Sequence, residues 1–141
     1  IDSKYCQEKG IIVSNVRNYA SFSVSEQVFT LLLALRRNLI AYQQYTQTGL
    51  WQKSDIFCSL EFPNHDLHNS TFGIIGYGVL GQAVEKLALA FGMKVLIAER
   101  KGIDEPRKGR VTFDELIETS DVISLHCPLT VETRELLGAK E

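Results

Sequence analysis

In the second half of the chain, two kinds of hydrophobic pattern alternate. Thr71–Gly76 (TFGIIG), Lys94–Glu99 (KVLIAE) and Asp121–His126 (DVISLH) are short, dense apolar runs, the pattern of strands covered on both faces. Between the first two, Leu80, Ala83, Val84, Leu87, Ala88 and Phe91 recur at offsets of 3, 4, 7, 8 and 11. Those offsets lie on one stripe of a helix. A helix is therefore predicted over Leu80–Phe91, with Gly92 as its C-cap. Thr112-Phe113-Asp114-Glu115 has the T-x-x-E spacing of a capping box, which opens a short helix. Thr130 is placed as the cap of a last helix that ends near Glu141. Strands alternating with helices imply a parallel sheet with right-handed crossovers, so the fold class is α/β, doubly wound. Leu67-His68-Asn69-Ser70 must turn tightly into the first strand, and Asn69 is the residue there that best tolerates positive φ.

The first half is less regular. Gly10–Asn15 (GIIVSN) is β-branched and bounded by Gly and Asn, so it reads as a strand. Ser23-Val24-Ser25-Glu26 has capping-box spacing and is expected to open a helix running past Tyr42 to Gln47. Between Val28 and Leu35 that helix is apolar nearly all round, which calls for cover on more than one side, from a second domain or subunit. Thr48–Asn69 is expected to be an irregular arm carrying Trp51, Phe57 and Phe62.

Composition narrows the function classes. With 141 residues, 45% hydrophobic and 23% charged, the chain has the length and make-up of one globular domain rather than a disordered one. A net charge of −2 removes the main reason to expect a nucleic-acid partner, which needs a basic surface. No apolar run approaches the roughly 20 residues that span a bilayer, so no membrane partner is expected. Cys6, Cys58 and Cys127 are an odd number without close spacing. That fits reduced thiols in a cytoplasmic protein better than disulfides or a zinc site, and no metal is expected. No signal-peptide pattern opens the chain, and the missing initiator Met suggests a piece of a longer protein.

Gly76-Tyr77-Gly78-Val79-Leu80-Gly81 matches G-x-G-x-x-G between a predicted strand and a predicted helix. Gly76 would allow the sharp turn, Gly78 the approach of a pyrophosphate to the backbone, and Gly81 close packing of helix on strand. Free amides and the helix dipole would attract the phosphates. The motif also needs an acid about 20 residues on, and Glu99 lies 23 residues after Gly76. Its carboxylate is suited to the hydroxyls of an adenosine ribose and would repel a 2′-phosphate, which favours NAD over NADP. Arg100 and Lys101 could hold such a phosphate if Glu99 turned away. A methyltransferase uses a similar turn and acid, but the third glycine inside the helix favours a dinucleotide. His65 and His68 are expected in solvent. His126 is read as a hydrogen-bonded residue of the core or cleft edge. Lys94, Arg100, Lys101, Arg107, Lys108 and Arg110, interrupted by Glu99, Asp104 and Glu105, are read as a mixed, solvated surface.

These residues resemble the D-isomer-specific 2-hydroxyacid dehydrogenases over nearly the whole chain. The resemblance rests on GIIVSNV, the S-V-S-E helix start, Trp51, DLHNSTFGIIGYGVLGQAV, AFGMKVLIAERKG and SDVISLHCPLTVETRELLGAKE. The A-E-R-K-G stretch is closest in flavour to the glycerate dehydrogenases (hydroxypyruvate reductases). The resemblance implies an incomplete NAD(P)-binding Rossmann domain over residues 19–141. A terminal strand of the substrate domain would precede it, within residues 1–18. It also implies hydride transfer between a nicotinamide and a 2-hydroxy or 2-oxo acid, and a homodimer. Val79 and Leu80 fall at its pyrophosphate positions, Glu99 at its ribose acid and Arg100 beside the adenosine. Cys127 and Pro128 fall on the adenine-ribose side, with Cys127 a small packing residue lining the cleft. Val24 falls near the nicotinamide end. Asn69 stands where the family usually has Gly, and Glu99 where Asp is more frequent. The family's catalytic Arg, Glu and His match segments after Glu141, and its carboxylate-binding loop matches a segment before Ile1, so no residue here is assigned a catalytic role. Two other classes compete: a non-catalytic, dimerising regulatory protein of the same fold, and a dimerisation module built on the helix that starts near Val24.

Overall fold

The computed structural model describes residues 1–141. Its centre is a three-stranded parallel sheet in the order β2-β1-β3, formed by β1 (Thr71–Ile75), β2 (Lys94–Ile97) and β3 (Val122–Leu125). Gly73 of β1 lies opposite Leu96 on one side and Ile123 on the other. The turn into β1 has Asn69 at φ 65°, the left-handed conformation expected of it, and its N–H donates to Gly92 O at 2.9 Å.

Both faces of β1 are covered, which is why its sequence is a continuous apolar run. Phe72 and Ile74 pack with Val84 and Ala88 of α4 (Val79–Ala90) and with Phe29 and Leu32 of α2 (Ser21–Arg36). Phe29 stacks on Phe72 and Phe91, with ring centroids 5.9 and 5.1 Å apart. On the other face, Ile75 packs with Ala98 and with Phe113 and Leu116 of α5 (Phe113–Thr119). Helices on the two faces of a parallel sheet make the doubly wound α/β arrangement. The Thr112 cap is present, its Oγ1 accepting from Glu115 N–H at 3.1 Å.

The structure differs from expectation at four places. Gly10–Asn15 forms no strand: β1, β2 and β3 are the whole sheet, and without a neighbour to bond, a β-branched run has no ladder to join. A short helix, α1 (Ser3–Glu8), precedes it instead, with Asp2 Oδ1 accepting from Tyr5 N–H at 2.9 Å. The capping box at Ser23–Glu26 does not form, because α2 already starts at Ser21. Ser23 Oγ points back to Ala20 O, and Ser25 Oγ donates to Ser21 O at 2.8 Å.

The long helix is two helices. Asn38, at φ 48°, breaks α2 from α3 (Leu39–Gln47). The break is held by the arm folding back: Asn38 Nδ2 donates to Pro63 O, Arg37 pairs with Asp66 at 2.7 Å, and Tyr42 OH donates to Phe62 O at 2.8 Å. Finally, Thr130 caps one turn and no helix. Arg134 N–H reaches Thr130 O at 3.0 Å, and Glu135 then turns left-handed at φ 52°. The all-round apolar stretch of α2 is covered on one side only. Phe29 and Leu32 are buried, while Leu31 and Leu35 are exposed.

Candidate functional site

A parallel sheet leaves a crevice at the carboxyl ends of its strands where the chain order reverses. Here the chain passes from β1 to β2 on one side and returns to β3 on the other. A cavity of about 720 Å³ opens at those ends. Its walls are the residues that follow each strand, Gly76 and Tyr77 after β1, Ala98 to Lys101 after β2, and Cys127 and Pro128 after β3, closed by Ile103, Arg107 and Arg110.

The glycine turn has a distinct reason at each position. Gly76 sits at φ 97°, and a Cβ there would lie 2.5 Å from the backbone of His126 and Cys127. The turn after β1 and the segment after β3 can therefore touch only because Gly76 has no side chain. A Cβ on Gly81 would strike Gly76 O and press on Ile74 Cγ2 at 3.3 Å, so Gly81 lets α4 lie against β1. Gly78 is different: a Cβ there would meet nothing within 4 Å, and its φ of −88° is open to any residue. The protein does not need Gly78 for its own packing. What the missing Cβ leaves is backbone that a ligand can approach. Beyond it, no side chain caps α4. The first intrahelical bond is Gln82 N–H to Gly78 O, so the amides of Val79, Leu80 and Gly81 precede it. Such amides with the helix dipole form an anion site.

Glu99 is placed in the cavity wall by a short extension of β2, in which Ala98 bridges Val111 and Glu99 N–H donates to Val111 O at 2.8 Å. Its side chain is 4% exposed. Arg107 grips it through Nε at 2.6 Å and Nη2 at 2.7 Å, and Arg100 N–H adds a bond of 2.9 Å. These donors hold the Glu99 carboxyl down at about 2, and Arg107 is raised in turn.

Among the candidate residues, Gly76, Glu99, Arg100, Cys127 and Pro128 share the cavity. Gly78, Val79, Leu80 and Gly81 form the turn and helix start that continue from it. Val24 lies on α2 and does not line the cavity. His65 and His68 are exposed. His126 is half-buried beside Ser124 Oγ at 2.8 Å, and burial lowers its pKa.

The reading of the cations as plain solvated surface is corrected at Arg107 and Arg110. Arg107 closes a bidentate pair on Glu99, and Arg110 stands 4.0 Å from it while bonding Ala98 O. The loop from Gly102 to Gly109 doubles back to bring Arg107 onto an acid eight positions earlier. The two left-handed glycines that end that loop were the available signal. Tyr77 was also missed. It lines the cavity, and its OH donates to Glu85 at 2.5 Å, which raises its pKa.

Residues 29–141 match the family described as "D-isomer specific 2-hydroxyacid dehydrogenase, NAD binding domain". The chain is 42% identical, over all its 141 residues, to a glycerate dehydrogenase of Methylorubrum extorquens, and covers 44% of that protein. It is 36% identical to a hydroxypyruvate reductase of Blautia hydrogenotrophica, with 98% of this chain and 44% of that protein covered. A solved structure from Thermus thermophilus superposes with a TM-score of 0.82 at 35% identity, covering 96% of this chain and 42% of that one. The chain thus spans less than half the length of the curated relatives it matches. With its sheet order, glycine turn and strand-end acid all in place, the chain belongs to the D-isomer-specific 2-hydroxyacid dehydrogenases and forms part of their NAD-binding domain.

Proposed function

We propose that this chain holds the dinucleotide of an oxidoreductase acting on D-2-hydroxy and 2-oxo acids, with glycerate and hydroxypyruvate the favoured pair. The observation that carries this reading is Gly78. It is an open glycine beside uncapped helix amides, at the mouth of a cavity that ends on an acid. The amides of Val79, Leu80 and Gly81 would take the pyrophosphate. Gly76, Glu99, Arg100, Cys127 and Pro128 would enclose the adenosine, and Val24 on α2 would face the nicotinamide end. NAD, when bound, supplies the hydride acceptor or donor. This chain's residues bind and orient; none of them is assigned to the substrate or to proton transfer. The names of the relatives, a glycerate dehydrogenase and a hydroxypyruvate reductase, support the choice of acid. Residues 1–18 are taken as belonging to the substrate domain and 19–141 to the nucleotide domain. The three unpaired cysteines support a reducing, cytoplasmic setting, and no helix is long and apolar enough to cross a membrane. Exposed Leu31 and Leu35 on α2, with Leu39 and Ile40 on α3, support a homodimer.

Gly78→Val tests the reading. Its backbone conformation suits valine and the protein leaves the space empty, so melting is expected to change little. NADH affinity in calorimetry is expected to fall by about tenfold or more, the scale of losing bonds to a charged phosphate. Unchanged affinity would remove the pyrophosphate from this turn.

A further inference from the structure

Both oxygens of Glu99 are fully engaged. Oε1 accepts from Arg107 Nη2 at 2.7 Å and Arg100 N–H at 2.9 Å. Oε2 accepts from Arg107 Nε at 2.6 Å and Arg107 N–H at 3.3 Å. A carboxylate has about four lone-pair sites, so none is left for a ribose hydroxyl while Arg107 stays in place. The same contact cancels the charge that would repel a 2′-phosphate. Arg110 stands 4.0 Å from Oε1, and Arg100 and Lys101 line the same cavity, against Glu99 and Glu132. Lys101 is engaged by Glu141 at 2.5 Å, while the cations paired with Glu99 are Arg107 and Arg110. Arg107 itself is 63% exposed, so its guanidinium can move without disturbing the core. A guanidinium fork binds phosphate as readily as carboxylate.

We propose that Arg107 is the residue that sets the choice between a dinucleotide with a bare adenosine ribose and one carrying a 2′-phosphate. A bare ribose binds when Arg107 swings out and hands the Glu99 oxygens to the two hydroxyls. A 2′-phosphate binds with Arg107 held between phosphate and Glu99, its positive charge shared by both. The site therefore admits both dinucleotides, and its acid does not exclude the phosphorylated one. This inference rests on the proposed dinucleotide site and deepens it.

The test is calorimetry of NADH, NADPH, ADP and 2′,5′-ADP binding to the chain and to Arg107→Ala, with circular dichroism as a check of folding. The wild type is expected to bind both dinucleotides. In R107A the ratio of NADPH to NADH dissociation constants is expected to rise by about tenfold or more, since one charge-assisted phosphate contact is lost. A folded R107A whose ratio moves by less than about twofold overturns the inference and leaves the dinucleotide site standing. Wild-type chain that binds neither dinucleotide overturns both. Should R107A fail to fold, the Arg107 Nε resonance in the wild type decides. It is expected to shift on adding ADP and to shift differently with 2′,5′-ADP, and a resonance that stays unmoved or moves alike with both sinks the proposal.

Discussion

Glu99 shows how a single side chain can be decided by a neighbour that lies across a loop, eight positions along the chain. Its carboxylate sits against the sheet end at 4% exposure, where an unpaired charge would be costly. Arg107 and the Arg100 amide make the charged form the favoured one, so its pKa falls from 4.5 to about 2. A carboxyl that is more acidic folded than unfolded stabilises the fold fully above the unfolded value. That contribution disappears as pH falls toward the folded value. Between pH 4.5 and about 2, the wild-type melting temperature is therefore expected to drop more steeply than that of Glu99→Gln. Arg107 is largely exposed, and solvent screening limits the size of the difference. Parallel pH profiles for the two proteins would mean that the carboxylate is not held as described. The acid was visible from its spacing after the glycines. Its partner was not: Gly102 and Gly109 mark a turn in between, but they do not say which cation of the mixed run the turn brings onto the acid.

Among the elements, β1, α4 and β2 were legible because each is specified by neighbours in sequence: a dense apolar run, a 3-4-7-8-11 stripe, a second dense run. The Thr112 cap was legible for the same reason, since its bond spans three residues. Gly10–Asn15 was not, because a strand exists only with a partner, and composition does not supply one. The break at Asn38 was not legible either, being held by Pro63 and Asp66 from an arm far along the chain.

Packing against α5 adds a constraint that apolar patterning alone hides. A Cβ on Gly73 would lie 2.7 Å from Leu116 Cδ2 and 2.9 Å from its Cγ, and Leu116 is fully buried. Gly73→Ala is expected to cost about 1–3 kcal/mol, the usual range for overpacking. Urea denaturation reads that as a lower midpoint, with Gly78→Ala, which meets nothing within 4 Å, as the matched control. Equal midpoints for the two would show that α5 is free to retreat from the sheet.

At the scale of the whole molecule, the core is concentrated around β1, and a large apolar surface is left outside it. Leu35 is 76% exposed, with Leu31, Leu39 and Ile40 also uncovered along α2 and α3. Trp51, Phe57 and Leu60 add further apolar surface on the arm that folds back onto those helices. A stable interface buries about 800 Å² on each partner, more than a few leucines on two helices provide, so the arm aromatics must contribute if a second copy is to cover this side. The expected outcome is a dimer by light scattering at micromolar concentration. Leu35→Glu with Ile40→Glu should shift it to monomer, because two buried carboxylates facing an apolar partner have no compensating charge. The cavity lies at the strand ends, and neither substituted residue lines it. NADH affinity in the double variant is therefore expected to stay at the wild-type value. A wild-type monomer would leave the apolar side of α2 and α3 without a second copy, and a double variant that remains dimeric would move the interface elsewhere.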